Sequence, residues 1–193
     1  LHVFCCMLTA YPLTKKSLKG RTGILLFILF TMLFSGGMIP YYLLIQDLHL
    51  MNNPLIYILP GLVSGFDIII AKNFLSGISD SLAESAQLDG AGEYRIFFSI
   101  YLPLAKPAII NLAVLQIMWS FQDFLFPLMF LTKDKAYTTT VAVNAFKGAY
   151  GMTPQNLGRY NAALVLISIP SILIFTFAQK FIVNGITSGA VKE

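Results

Sequence analysis

The sequence predicts an all-α fold, a polytopic bundle of transmembrane helices, and two observations lead to this prediction. Of the 193 residues, 56% are hydrophobic and only 11% are charged, whereas soluble domains carry about 25% charged residues. The apolar residues are grouped in long segments, and about 20 apolar residues are enough for a helix to cross a bilayer. Helices are expected because the lipid interior offers no partner to unpaired backbone groups.

The apolar segments are predicted to be the spans of a single transmembrane domain that covers residues 1–193. They lie at about 1–13, 22–46, 55–75, 108–131 and 160–183. The chain opens inside an apolar run and without an initiator Met, so we expect an N-terminally truncated bundle whose first span is partial. Prolines fall within or near the ends of the later spans, where neighbouring helices can satisfy the freed carbonyls. These prolines are Pro40, Pro60, Pro127 and Pro170.

The distribution of Lys and Arg predicts which loops face the cytoplasm, because cytoplasmic loops carry an excess of basic residues. When alternate loops are grouped, nine basic residues fall on one side and four on the other. The richer side holds the loop after the first span, the segment at about 77–107 and the C-terminal tail, which are therefore predicted to be cytoplasmic. The loop at 132–159 is predicted to lie outside, as an ordered cap over the spans.

Several classes of function are not indicated. The net charge of +4 is explained by topology and does not indicate a nucleic-acid partner. The adjacent Cys5 and Cys6 lack metal-ligand spacing, and His2 and His49 belong to no catalytic or metal-binding pattern. The chain has no phosphate-binding G-x-x-x-x-G-K-[ST] motif. We therefore expect no catalytic residue, no metal and no cofactor in this chain.

The cytoplasmic segment is unusually polar for this chain and is predicted to contain two short helices. Ser81 and Glu84 match a capping box at the start of a helix over 81–89. Gly90 suits the left-handed residue that ends such a helix, and a second helix is expected from about Glu93 to Leu102. Glu84 has two interpretations, as a capping carboxylate only or as a contact for another protein.

The first predicted helix is thin and fits a groove on a partner. Leu82 and Ala86 lie on one face at a spacing of four residues, and the small side chains between them keep the helix narrow. A helix of this kind can dock in a groove of another protein.

The spacing of this segment resembles that of a known family. Glu84-Ser85-Ala86, three residues, Gly90, nine further residues and Ile100-Tyr101-Leu102-Pro103 is similar to the signature of permease subunits of bacterial ABC importers, with Ser85 in place of the central Ala. The flanking stretches resemble the carbohydrate-type permeases and extend the likeness over essentially the whole chain. They include 34–40, 103–107, 121–128 and 185–192.

The resemblance implies a type I permease-like bundle in the bacterial cytoplasmic membrane. The Glu84–Gly90 helix would be the coupling helix that sits in a cleft of a cytoplasmic ABC ATPase dimer, which binds and hydrolyses the ATP. The other implied partners are a second permease subunit, an extracellular solute-binding protein and the lipid bilayer. The implied ATPase-coupling residues are Glu84, Ser85, Ala86, Asp89, Gly90, Ile100, Leu102 and Pro103. The implied function is alternating-access import of a sugar, oligosaccharide or glycoside.

Polar residues inside the spans are candidates for the translocation path. Asp67 is expected about halfway along 55–75, where an ionisable group is costly and indicates function, as a path residue or as an interhelix hydrogen-bond partner. Asn111, Gln116 and Gln122 lie in the span at 108–131, with interhelix hydrogen bonding as their alternative role.

Two alternatives to a carbohydrate importer remain open. One is the same architecture with another cargo, such as a polyamine, phosphate or peptide. The other is a membrane scaffold that binds an ATPase through the same helix and transports nothing.

Overall fold

The computed structural model of this chain describes residues 1–131, 137–150 and 153–190. Within these ranges the regular structure is entirely helical, without a β-strand, which confirms the predicted all-α class. The α-helices of the described residues are α1 (His2–Ala10), α2 (Arg21–Leu33), α3 (Met38–Asp47), α4 (Gly65–Leu75), α5 (Asp80–Leu88), α6 (Glu93–Ile96), α7 (Leu102–Leu104), α8 (Lys106–Gln122), α9 (Leu125–Phe130), α10 (Thr139–Tyr150) and α11 (Pro154–Ala190). Short 3₁₀ turns follow α1 and precede α4, at Pro12–Thr14 and Pro54–Tyr57, and a π-helical turn at Phe97–Tyr101 joins α6 to α7.

The chain divides into two compact units. Unit 1 contains Leu1–Ser35 and Pro60–Ala113, together with the end of α11, and unit 2 contains Gly36–Leu59 and Val114–Gln179. In unit 1, α1 packs along α4, with Ala10 and Ala71 fully buried. Small side chains at such a contact let two helix backbones approach closely.

The core of unit 1 continues from α1 and α4 into the predicted cytoplasmic segment. Ala83 of α5, Ile96 of α6 and Phe97 belong to the same buried cluster as the α1–α4 contact. The loop after α1 and this segment are therefore neighbours, as expected from their common assignment to the cytoplasmic side. Gly65 makes a second close contact in unit 1, since a Cβ atom there would lie 2.8 Å from Cγ of Met32 in α2.

Unit 2 has its own small core, formed by the end of α3, the following loop and α9. Ile45, Leu50 and Phe130 are buried in it. The backbone amide of Asn52 donates a hydrogen bond of 3.0 Å to the carbonyl of Phe130. These contacts join the loop after α3 to the end of α9, so two connections that the charge distribution assigns to the outside are neighbours.

Two of the predicted spans are divided into separate helical pieces by glycine and proline. The segment at 22–46 forms two helices, α2 and α3, with a break between Leu33 and Met38. The break contains Gly37 with a φ of +86°, and Pro40 lies in the first turn of α3, where a missing amide costs least. The segment at 55–75 has only the 3₁₀ turn and the eleven residues of α4 in helical form, because Pro60 and Gly61 lie between them.

The last two predicted spans differ from each other. The segment at 108–131 is divided into α8 and α9 at Asp123 and Phe124. The segment at 160–183 lies within the continuous helix α11, which accommodates Pro170 in its interior.

By length and composition, one helix of the described residues is long and apolar enough to cross a membrane. It covers Asn156–Phe177, and none of its apolar window is buried within the chain. Two bent pairs also satisfy the test when each is counted as one span, which gives up to three. These pairs are Arg21–Leu33 with Met38–Asp47, and Glu93–Leu104 with Lys106–Gln122.

Candidate functional site

The first helix of the cytoplasmic segment, α5, begins earlier than predicted, and the capping-box assignment was wrong. Its N-cap is Ser79, not Ser81, and the two serine hydroxyl oxygens are 2.8 Å apart. Asp80 occupies the first turn, where a carboxylate interacts favourably with the helix dipole. A capping-box carboxylate would stand three residues after the N-cap, at position 82. Glu84 lies two residues past that position, and the cap does not account for its presence.

The end of α5 has the left-handed backbone conformation that was predicted from Gly90. Gly90 has a φ of +80°. Its amide donates to the carbonyl of Gln87 over 3.0 Å, and the amide of Ala91 donates to the carbonyl of Ala86 over 2.9 Å. This pair of bonds is a Schellman motif, which satisfies carbonyls that the helix leaves free. The turn fixes the direction in which the chain leaves α5.

The two faces of α5 have different environments. Ala83 is buried and Ala86 packs against the core of unit 1, so the thinness of this helix serves packing within the chain. The opposite face is exposed and consists of Ser81, Glu84, Ser85 and Leu88. We call these four residues the α5 outer face. Leu88 is 90% exposed, which is unusual for a large apolar side chain and was not singled out from the sequence.

Leu82 and Ala86 were predicted to share one face of this helix. Ala86 packs against the core of unit 1, while Leu82 is 45% exposed, and the coupling role of Ala86 stays a prediction. The other predicted coupling residues also divide into two groups. Ile100 and Leu102 pack against the core of unit 1, whereas Pro103 and Asp89 are exposed. Glu84, Ser85, Asp89 and Pro103 are thus the predicted coupling residues whose side chains are exposed.

Glu93, at the start of α6, was not predicted as a functional residue but is a centre of polar contacts. Tyr11 Oη donates to its Oε2 over 2.6 Å, and Gln87 Nε2 donates to its Oε1 over 2.9 Å. Lys15 Nζ lies 3.6 Å from Oε2. The hydrogen bond from Tyr11, aided by Lys15 and Gln87, lowers the pKa of the Glu93 carboxyl although partial burial opposes this. We call Tyr11, Lys15, Gln87 and Glu93 the Glu93 cluster.

Asp67 lies in the first turn of α4 and not in the middle of a helix, and it is buried. Its Oδ2 is 2.9 Å from Nε2 of His2 in α1, and Nδ1 of the same ring faces the carbonyl of Gly61. The His2 ring thus joins α1 both to the first turn of α4 and to the backbone at Gly61. Its contact with Asp67 is the interhelix hydrogen bond expected as one of the two roles of Asp67; the role of Asp67 in the path stays a prediction.

The other predicted path residues lie on α8. Asn111 is partly buried, and its Oδ1 is shielded from solvent without a hydrogen-bond partner among the described residues. Gln116 is partly buried and Gln122 is exposed. Asn111 belongs to unit 1 and the two glutamines to unit 2.

Unit 2 contains an open cavity of about 510 Å³. Its lining combines hydroxyl groups and aromatic rings with an apolar side supplied by α11. The lining residues are Ser120, Phe121, Tyr137, Thr138, Thr139, Thr140, Leu166, Ile167 and Pro170. A few polar groups set among apolar and aromatic side chains are typical of small-molecule sites.

Two glycines near the end of α5 allow a matched test of the Schellman turn. An added Cβ would meet no neighbouring atom within 4 Å at Gly90 or at Gly92, but only Gly90 has a positive φ. We expect Gly90→Ala to destabilise the end of α5 by about 1–2 kcal/mol and Gly92→Ala to be nearly neutral. Hydrogen exchange of the α5 amides measures this difference, and equal protection in the two variants would contradict the prediction.

Comparison with known proteins gives a family match over most of the chain. Residues 19–188 match the model of a family described as binding-protein-dependent transport system inner membrane component. Two proteins of Bacillus subtilis are each 33% identical over 100% of this chain. They are the protein LplC, of which 69% is covered, and the polygalacturonan/rhamnogalacturonan transport system permease protein YtcP, of which 71% is covered.

A further relative and a solved structure are also components of transport systems. The arabinooligosaccharides transport system permease protein AraQ of Bacillus subtilis is 32% identical over 100% of this chain and 68% of its own length. Among solved structures, a chain of a bacterial ABC transporter involved in the import of the acidic polysaccharide alginate is similar, with a TM-score of 0.80 and 26% identity. That similarity covers 93% of this chain and 71% of the solved chain.

Proposed function

This chain belongs to the family of binding-protein-dependent transport system inner membrane components, and it is a multi-pass protein of the bacterial inner membrane. On that premise we propose that it is the permease subunit of an ABC importer for oligosaccharides. Relatives named for polygalacturonan, rhamnogalacturonan and arabinooligosaccharides support this class of cargo. The cavity of unit 2, lined by hydroxyl groups and aromatic rings, also suits a sugar.

The observation that carries the proposal is the two-sided geometry of α5. One face is anchored to the core of unit 1 through Ala83 and Ala86, and the helix ends in a Schellman turn at Gly90. The α5 outer face is left free and pairs a carboxylate, Glu84, with an apolar side chain, Leu88, one turn further along. This combination suits a short helix that docks in a cleft of another protein.

In the proposed mechanism, α5 is the coupling helix. It inserts its outer face into a cytoplasmic ATPase dimer, where Glu84 pairs with a basic residue. ATP-driven closure of the dimer moves α5, and the helices packed on the same core move with it. The transporter then changes between inward-facing and outward-facing states, an equilibrium between two conformations that ligands bias.

The proposed assembly assigns ATP hydrolysis to the partner ATPase and none to this chain. It contains this permease, a second permease subunit, two ATPase copies and an extracellular solute-binding protein. The loop at 132–159 is the proposed contact for the binding protein. For the translocation path we propose Asp67, Asn111, Gln116 and Gln122.

The test is uptake and ATP hydrolysis by the complete complex in proteoliposomes, with a panel of binding proteins that carry oligosaccharides, polyamine, phosphate or peptide. We expect one of the oligosaccharide-loaded proteins to stimulate both hydrolysis and uptake. Stimulation by another cargo alone would overturn the carbohydrate assignment. Retention of the ATPase without uptake of any cargo would favour the scaffold alternative.

A further inference from the structure

We propose that Glu93 is a positioning residue that transmits the movement of α5 to α1, an inference that rests on the coupling role proposed for α5. The two oxygens of its carboxylate accept from different elements, Oε1 from Gln87 on α5 and Oε2 from Tyr11 at the end of α1. The carboxylate is therefore a polar bridge between the helix that would receive force from the ATPase and a helix of the core.

The bridge is needed because the apolar anchor of α5 is slight. Ala83 and Ala86 are the side chains through which α5 joins the core cluster of unit 1, and alanine contributes little contact area. Apolar packing of this kind is non-directional, so it permits α5 to slide. The hydrogen bond from Gln87, one residue beyond Ala86, adds the directional constraint that a lever requires.

The other end of the bridge is held firmly. The Tyr11 ring is buried, and its centroid lies 5.0 Å from those of both Phe97 and Tyr101. Lys15 Nζ lies 5.0 Å from the centroid of Tyr11 and 5.4 Å from that of Tyr101, within the range of a cation–π interaction. If Glu93 moves and Tyr11 moves with it, the rings of Phe97 and Tyr101 must move as well. Tyr11 ends α1, which packs along α4.

The charge of Glu93 strengthens the bridge. Hydrogen bonds to an ionised acceptor are roughly twice as strong as those between neutral groups. The nearby ammonium of Lys15, 3.6 Å from Oε2, favours the ionised form. A displacement of α5 is therefore more easily passed to Tyr11 than absorbed by breaking the contact.

The test removes the hydroxyl of Tyr11 and keeps its ring. Tyr11→Phe retains the packing against Phe97 and Tyr101, so membrane insertion and retention of the ATPase should match wild type. In the complete reconstituted complex, the ratio of binding-protein-stimulated to basal ATP hydrolysis should fall by between about twofold and thirtyfold, the range of coupling changes seen for positions along such networks. Tyr94→Phe is the matched control, since Tyr94 lies beside Glu93 with its side chain 79% exposed.

A second variant, Glu93→Leu, tests the same bridge from its centre. It should lower the ratio as well, and adding Tyr11→Phe to it should lower the ratio little further, because the acceptor of the Tyr11 hydroxyl has already been removed. A wild-type ratio in Tyr11→Phe, an equal fall in Tyr94→Phe, or loss of ATPase retention in Tyr11→Phe would each overturn the positioning role.

Glu84→Lys, measured in parallel, separates the two proposals. If it abolishes stimulation while Tyr11→Phe does not, only the role of Glu93 is overturned. If Glu84→Lys is stimulated normally, the coupling role of α5 itself is overturned.

Discussion

Glu84→Lys is expected to weaken the retention of the ATPase on the permease by at least about thirtyfold. Glu84 is exposed on the α5 outer face, and the proposed docking would bury it against a basic residue. Loss of one partner of a desolvated, hydrogen-bonded charge pair costs about 2–5 kcal/mol, and every 1.4 kcal/mol is a factor of ten in affinity. Co-purification of the ATPase with the full-length permease measures the change.

A matched pair of neutral variants controls for general effects of charge on α5. Glu84→Gln and Asp80→Asn each remove one negative charge from an exposed side chain of this helix. Asp80 lies one turn before Glu84 but is not one of the four residues of the α5 outer face, so Asp80→Asn should retain the ATPase and Glu84→Gln should lose much of it. Equal retention by both variants, together with normal retention by Glu84→Lys, would be incompatible with docking through this face.

Asp67→Leu is expected to destabilise the chain by about 1–3 kcal/mol, the cost of leaving a buried polar partner unsatisfied. Leucine is similar in size but cannot bond to Nε2 of His2, which lies 2.9 Å from the carboxylate. Thermal unfolding of the purified full-length permease in detergent measures the loss. The double variant His2→Leu with Asp67→Leu should lose less than the sum of the single changes, since the two residues are in contact.

Asp67→Asn is the control for this pair. The asparagine amide can donate to Nε2 of a neutral His2 whose Nδ1–H still donates to Gly61, so every polar group keeps a partner. We expect the unfolding temperature of this variant to stay close to that of wild type. A loss as large as that of Asp67→Leu would show that charge, and not hydrogen bonding, maintains the contact.

The sequence predicts those parts of the site that depend on neighbouring residues. Gly90 could be identified because a helix end that needs a positive φ favours glycine, and the structure confirms it with a φ of +80°. The N-cap of α5 could not be chosen from the sequence in this way, since Ser79 and Ser81 are both good N-cap residues. The choice between them depends on where the chain leaves α4.

Contacts between distant residues could not be predicted from this pattern. His2 and Asp67 are 65 positions apart, and Tyr11 and Glu93 are 82 apart; neither pair leaves a periodic signal in one sequence. The apolar runs are helical, and breaks at prolines within or near their ends, Pro60 among them, were expected. The breaks at Gly37 and at the Asp123–Phe124 junction were not anticipated from the sequence.

The opposite faces of α5 allow recognition and folding to change independently. Ala83 and Ala86 tolerate little substitution because larger side chains would push the helix away from the core. Ser81, Ser85 and Leu88 belong to no buried cluster of the residues that the structure describes and can be exchanged at little cost to stability. If α5 couples as proposed, substitutions there would adapt the permease to a different ATPase while the bundle stays intact, so the ATPase partner and the cargo could change independently in evolution.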